Sequence, residues 1–96
     1  MNIEVSEKAV EWYKEELDTD DTPNIKFFPR YGGNGNVPGF SLGISVTEPN
    51  HAFASVVKDN ILFFVEEEDA WYFDGADLVI SYDEKLAEPL VSYRKK

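Results

Sequence analysis

The spacing of hydrophobic and polar positions changes several times along this chain, and each change marks an element. Ile3 and Val5 alternate with polar neighbours, which predicts a short extended lead-in. Ala9, Val10, Tyr13 and Leu17 then recur at helical spacing, while Lys8, Glu11, Lys14, Glu15 and Glu16 supply the polar side. Ser6 stands before them as an N-cap, and Val5 and Val10 occupy the two positions of a hydrophobic staple. Glu7 in the first turn complements the helix dipole. The pattern predicts a helix over Glu7 to Leu17, with Trp12 at the edge of its apolar face and read as packed. Asp18-Thr19-Asp20-Asp21-Thr22-Pro23 ends it as an acidic, proline-terminated loop.

Asn24 to Tyr31 predicts a strand with aromatic weight, in which Pro29 implies an edge or a bulge because it cannot donate to a ladder. Phe40 to Thr47 alternates with period two and predicts a half-buried strand. Pro29 to Leu42 joins the two and holds four of the six glycines, so the pair reads as a hairpin with a long connection. A second hairpin is predicted from Ala52–Val57, the turn Lys58-Asp59-Asn60 and the apolar run Ile61–Val65. Glu66 to Asp69 then opens a short helical turn through Phe73, followed by the turn signal Asp74-Gly75 and a strand at Leu78–Tyr82. Asp83 to Glu88 predicts one helical turn stopped by Pro89, and Leu90–Tyr93 a last short strand. The expected fold class is α+β: mostly antiparallel mixed β-sheets with an N-terminal helix and one or two short helices, in a single domain over residues 1–96.

Composition narrows the chemistry. A hydrophobic fraction of 43%, with 15% aromatic, is enough for a packed core. The net charge of −10 repels phosphate backbones and anionic headgroups, so neither nucleic acid nor membrane is an expected partner. The absence of cysteine excludes disulfides, thiolate metal sites and a thiol nucleophile. Met1 to Val5 lacks a basic stretch followed by an apolar run, and with no disulfide framework a cytoplasmic location is expected.

No catalytic residue is assigned. His51 is the sole histidine, lies in the turn Pro49-Asn50-His51 and reads as a surface residue, and no Gly-x-Ser-x-Gly elbow presents a serine. Gly33, Gly35 and Gly39 miss the dinucleotide spacing and precede a strand instead of a helix. A calcium loop counted from Asp18 fails, because Pro23 and Pro29 stand where glycine and glutamate are needed. The binding-loop candidates are therefore Arg30, Tyr31, Gly32, Gly33, Asn34, Gly35, Asn36 and Gly39, with Trp71 and Tyr72 as interface candidates. The plainer reading stands beside this one: the glycines satisfy the geometry of a long loop, with Asn34 and Asn36 tolerating left-handed conformations.

Three segments carry a family resemblance: Ile3-Glu4-Val5-Ser6-Glu7-Lys8-Ala9; Arg30-Tyr31-Gly32-Gly33-Asn34 with Gly39-Phe40-Ser41-Leu42; and Phe64-Val65 through Trp71-Tyr72-Phe73-Asp74-Gly75-Ala76-Asp77-Leu78. Through them the chain resembles the HesB/IscA family, the A-type iron–sulfur biogenesis domains. The resemblance implies a HesB-like fold. Asn34 stands where that family has its first ligand cysteine, and the chain ends in Ser92-Tyr93-Arg94-Lys95-Lys96 in place of the terminal Cys-Gly-Cys. No metal ligand and no cofactor carry over. The resemblance thus implies a cluster-less, non-catalytic adaptor with an unidentified protein partner, linked to iron–sulfur assembly or metal homeostasis. The alternative is a carboxylate-based metal-ion carrier using Asp18, Asp20, Asp21 or Glu66 to Asp69.

Overall fold

The computed structural model describes residues 1–17 and 24–95. The acidic segment 18–23, with its calcium-loop and carrier candidates, lies outside them. Strand β1 (Ile3–Val5) leads into helix α1 (Glu7–Glu16). The hairpin strands β2 (Asn24–Asn34) and β3 (Pro38–Val46) follow, then β4 (Ala52–Lys58) and β5 (Ile61–Glu66). A 3₁₀ helix (Glu67–Phe73) precedes β6 (Asp77–Asp83) and β7 (Glu88–Arg94). One sheet has the order β1-β6-β7 and the other β3-β2-β5-β4. The β1–β6 and β2–β5 pairings are parallel and the other three antiparallel, so the fold is α+β with mixed sheets.

Local chemistry explains the first helix. The Ser6 hydroxyl accepts the Ala9 N–H at 3.2 Å, and the Leu17 N–H closes the last turn on the Tyr13 carbonyl at 3.0 Å. Ala9, Val10 and Tyr13 are buried on one face, with Trp12 partly buried beside them. The Ser6 N–H also donates to the Ile80 carbonyl at 2.9 Å, which joins the helix start to the first sheet.

The core lies between α1 and the inner faces of both sheets. Ile3, Val5, Leu78 and Ile80 come from one sheet, and Ile25, Phe27, Ile61, Phe63 and Val65 from the other. Phe27 and Phe63 stack at 5.9 Å, and Tyr13 closes over Phe63 at 5.7 Å. Burial pushes the Tyr13 phenol up to about 12. Each such ring contributes about 1.5–3 kcal/mol through the water it excludes.

Two local expectations differ from the structure. Asp83 to Glu88 is not a helical turn but the reversal between β6 and β7. The Asp83 carboxylate accepts the N–H groups of Lys85 and Leu86 at 2.9 and 3.2 Å, and Ala87 completes the turn at φ +53°. The expected long connection is mostly strand, because β2 runs to Asn34 and β3 begins at Pro38. The edge expected at Pro29 is met locally: β5 pairs with β2 only at Asn24–Lys26, so at Pro29 the strand has a neighbour on one side.

Candidate functional site

The free end of the β2–β3 hairpin begins where β5 pairing stops. Tyr31 faces Phe40, a bulge shifts the register, and Asn34 then pairs with Pro38. Gly35, Asn36 and Val37 form the turn, closed by Gly35 N–H to the Phe40 carbonyl (2.6 Å) and Phe40 N–H to the Val37 carbonyl (3.1 Å). Gly32, Gly33 and Gly39 take φ values of +108°, +73° and +88°, a region that costs other residues about 1–2 kcal/mol. The left-handed positions thus fall on these glycines and not on Asn34 or Asn36. Gly35 is needed for space instead: a Cβ there would overlap the Tyr72 hydroxyl and lie 2.9 Å from the Phe40 carbonyl oxygen.

Aromatic rings cover one side of this tip. Tyr31 is 87% exposed and stacks on Phe40 at 5.0 Å. Phe40 in turn meets Trp71, itself 52% exposed, edge-on at 5.3 Å. Arg30 is exposed beside Tyr31, and no Asp or Glu occurs from Asn24 to Thr47. In a chain of net charge −10, the tip is therefore free of acids and carries a cation.

Trp71 and Tyr72 divide because consecutive residues on a tight helical turn point in different directions. Trp71 is outward, whereas Tyr72 is fully buried and is corrected from interface candidate to internal support. The Tyr72 hydroxyl accepts the Asn36 N–H at 3.0 Å and bonds the Tyr93 hydroxyl at 2.9 Å. The Asn36 side-chain amide donates to the Tyr72 carbonyl at 2.8 Å, and its oxygen accepts the Lys95 Nζ at 3.0 Å. Burial, followed by the bond to Tyr72, raises the Tyr93 phenol so that it stays protonated at ordinary pH.

Elsewhere the polar groups hold backbone. Buried Glu66 accepts the N–H groups of His51 and Asn50 at 2.8 and 2.9 Å, which lowers its carboxyl below the ordinary glutamate value. Buried Asp77 accepts the Asn2 N–H at 2.8 Å and pairs with Arg94. His51 is exposed. Among the described residues no group of three or more His, Asp or Glu could hold a metal ion, and no helix is long and apolar enough to cross a membrane. An open groove of about 550 Å³ between β1, β4 and β6 holds Glu4 and Lys58 but no nucleophile paired with a base.

Of the sequence candidates, Tyr31 and Trp71 flank Phe40 on one surface, Arg30 lies on the opposite face of β2 beside Phe28 and Gly43, and Asn36 and Tyr72 support the tip from inside. Phe40, Tyr93 and Lys95 were missed. Counting outward from the turn sets Phe40 against Gly32; only the bulge slides it to Tyr31. Nothing local signals Tyr93 or Lys95, which are 21 residues from Tyr72 and 59 from Asn36.

Comparison with known proteins replaces the iron–sulfur resemblance. The chain is 47% identical over 95 residues to a pyruvate dehydrogenase inhibitor of Bacillus subtilis, covering 98% of this chain and 100% of that protein. It is 33% identical to an uncharacterised protein of Staphylococcus haemolyticus (91% of this chain, 95% of the relative). It is 34% identical to one of Staphylococcus saprophyticus over the whole of both. No protein-family model matches the chain, and no solved structure matches it. HesB/IscA membership is accordingly withdrawn, and with it the iron–sulfur adaptor and the metal-ion carrier. The chain belongs to the family of these Bacillus and Staphylococcus proteins.

Proposed function

We propose, from membership of the family that holds the Bacillus subtilis pyruvate dehydrogenase inhibitor, that this chain is a non-catalytic inhibitor acting on a pyruvate dehydrogenase by direct protein contact. The observation that carries the contact reading is the ring surface made by Tyr31 and Phe40 on the β2–β3 tip with Trp71 of the 3₁₀ helix. Large rings left in water on a supported turn are the residue type that anchors interfaces. No acid occurs in the hairpin itself, so Tyr31 and Phe40 approach a partner without like-charge repulsion from their own strands, while Trp71 stands beside the acids of the 3₁₀ helix. Gly32, Gly33, Asn34, Gly35 and Gly39 serve as the backbone frame of this surface.

Inhibition of this kind needs occupancy and no reacting group. The test is pyruvate oxidation by purified Bacillus subtilis pyruvate dehydrogenase, titrated with the wild-type chain and with Tyr31→Ala. Dose-dependent inhibition by the wild type, weakened at least about tenfold in the variant, supports the reading. Full activity in the presence of a large excess of the wild-type chain sinks it.

A further inference from the structure

Beyond Lys26 and its last pairing with β5, the β2–β3 hairpin continues as a two-stranded ribbon. Such ribbons are marginal by themselves in water, and this one carries Gly32, Gly33, Gly35 and Gly39 near its end. Its tip is nonetheless tied at Asn36 to two elements outside the ribbon. The Asn36 N–H and side-chain amide both reach Tyr72 in the 3₁₀ helix, at 3.0 and 2.8 Å. Through the Tyr72 hydroxyl the tie extends to the Tyr93 hydroxyl in β7 at 2.9 Å, and Lys95 reaches the Asn36 side-chain oxygen at 3.0 Å. Gly35 admits the Tyr72 hydroxyl against the backbone, since a Cβ there would occupy the same space. One turn of the 3₁₀ helix therefore sets both halves of the arrangement: Tyr72 grips the tip from inside while Trp71 joins the outer rings.

We propose that Asn36, Tyr72 and Tyr93 are positioning residues, holding the tip in its partner-ready shape before the partner arrives. The inference rests on the reading that the tip is the contact surface, and adds that its order is built in advance from the far end of the chain. A ligand whose binding shape is only fractionally populated binds more weakly by that fraction. Tyr93 supports the tip through Tyr72, so its hydroxyl affects binding without belonging to the ring surface.

Kinetics separates this role from contact. Removing a contact speeds dissociation, whereas lowering the fraction of ordered tips slows productive association. The experiment immobilises wild type, Asn36→Ala, Tyr93→Phe and Tyr31→Ala and flows purified Bacillus subtilis pyruvate dehydrogenase over them. Hydrogen exchange of the Asn36 amide is followed in the free proteins. For Asn36→Ala and Tyr93→Phe we expect faster exchange at residue 36 and an association rate lower by up to about fivefold, the limit set by losing one hydrogen bond of about 1 kcal/mol, with dissociation within about twofold of wild type. Tyr31→Ala shows the reverse split. Wild-type association rates in both Asn36→Ala and Tyr93→Phe overturn the positioning role and leave the contact reading standing. No binding by the wild type overturns both.

Discussion

Gly35→Ala tests the tightest approach at the tip. The new methyl would overlap the Tyr72 hydroxyl and sit 2.9 Å from the Phe40 carbonyl oxygen, a backbone atom that cannot swing aside. Tyr72 is fully buried between the tip and Tyr93, so it has no space to retreat into. The tip must then lift away by on the order of 1 Å to regain contact distance. That movement stretches both Asn36 bonds to Tyr72, which stand at 3.0 and 2.8 Å. Two hydrogen bonds at about 1 kcal/mol each make the local cost about 2 kcal/mol. Since 1.4 kcal/mol is tenfold, the tip should open about thirtyfold more often. Amide exchange by NMR reads this directly: residue 36 should exchange about thirtyfold faster while Phe63 and Val65 in the central strand keep their protection. Gly32→Ala is the control. It has nothing within 4 Å and bears only the strain of φ +108°, so residue 36 should stay within about threefold of wild type. Unchanged exchange at residue 36 in Gly35→Ala would refute the argument that space at Gly35 orders the tip.

Phe63→Ala removes a fully buried ring stacked on Phe27 and should cost about 3–5 kcal/mol, read as a lower urea midpoint; a midpoint within error of wild type would contradict the assigned core. Glu66→Gln should destabilise at neutral pH, because the folded carboxyl is lowered by the His51 and Asn50 N–H groups and stabilises only while ionised. The gap to wild type in thermal melts should therefore close as pH falls below the ordinary value of 4.5, and a constant gap would argue against the charge. Asp69 runs the other way. Burial, with Glu68 beside it, raises its folded pKa, so its ionised form works against folding at neutral pH. Asp69→Asn should raise the melting temperature at pH 7 and lose that gain below 3.8; no gain at pH 7 would contradict this.

Local chemistry in the sequence was sufficient for most elements. The N-capping Ser6 and the apolar spacing after it specify α1, and the alternation from Phe40 onward specifies β3. Lys58-Asp59-Asn60 reads as a turn because its neighbours are apolar runs, and Asp59 and Asn60 take the positive φ such a turn needs. Trp71-Tyr72-Phe73 had to send a ring outward, since three consecutive residues of one turn cannot share a face. Tyr31 stood among the candidates by its place beside the glycines, and the structure stacks it on Phe40. The family was not legible this way: Gly32-Gly33 and Gly39-Phe40 resemble a cysteine-bearing loop, yet in this chain they form a bulged hairpin whose relatives include an enzyme inhibitor.

Tertiary structure decided the rest, because its determinants are distant in the chain or smaller than any pattern. A single bulge moves Phe40 from Gly32 to Tyr31 and so creates the ring stack. The parallel β2–β5 pairing stops at Lys26, and that leaves the tip to be tied from elsewhere. Asn36 and Tyr72 stand out in the sequence only as separate candidates, and Tyr93 not at all, until folding brings the three together. Composition and periodicity record what each residue prefers next to its neighbours. Which hydroxyl meets which amide across 36 residues depends on how the two sheets close over one core.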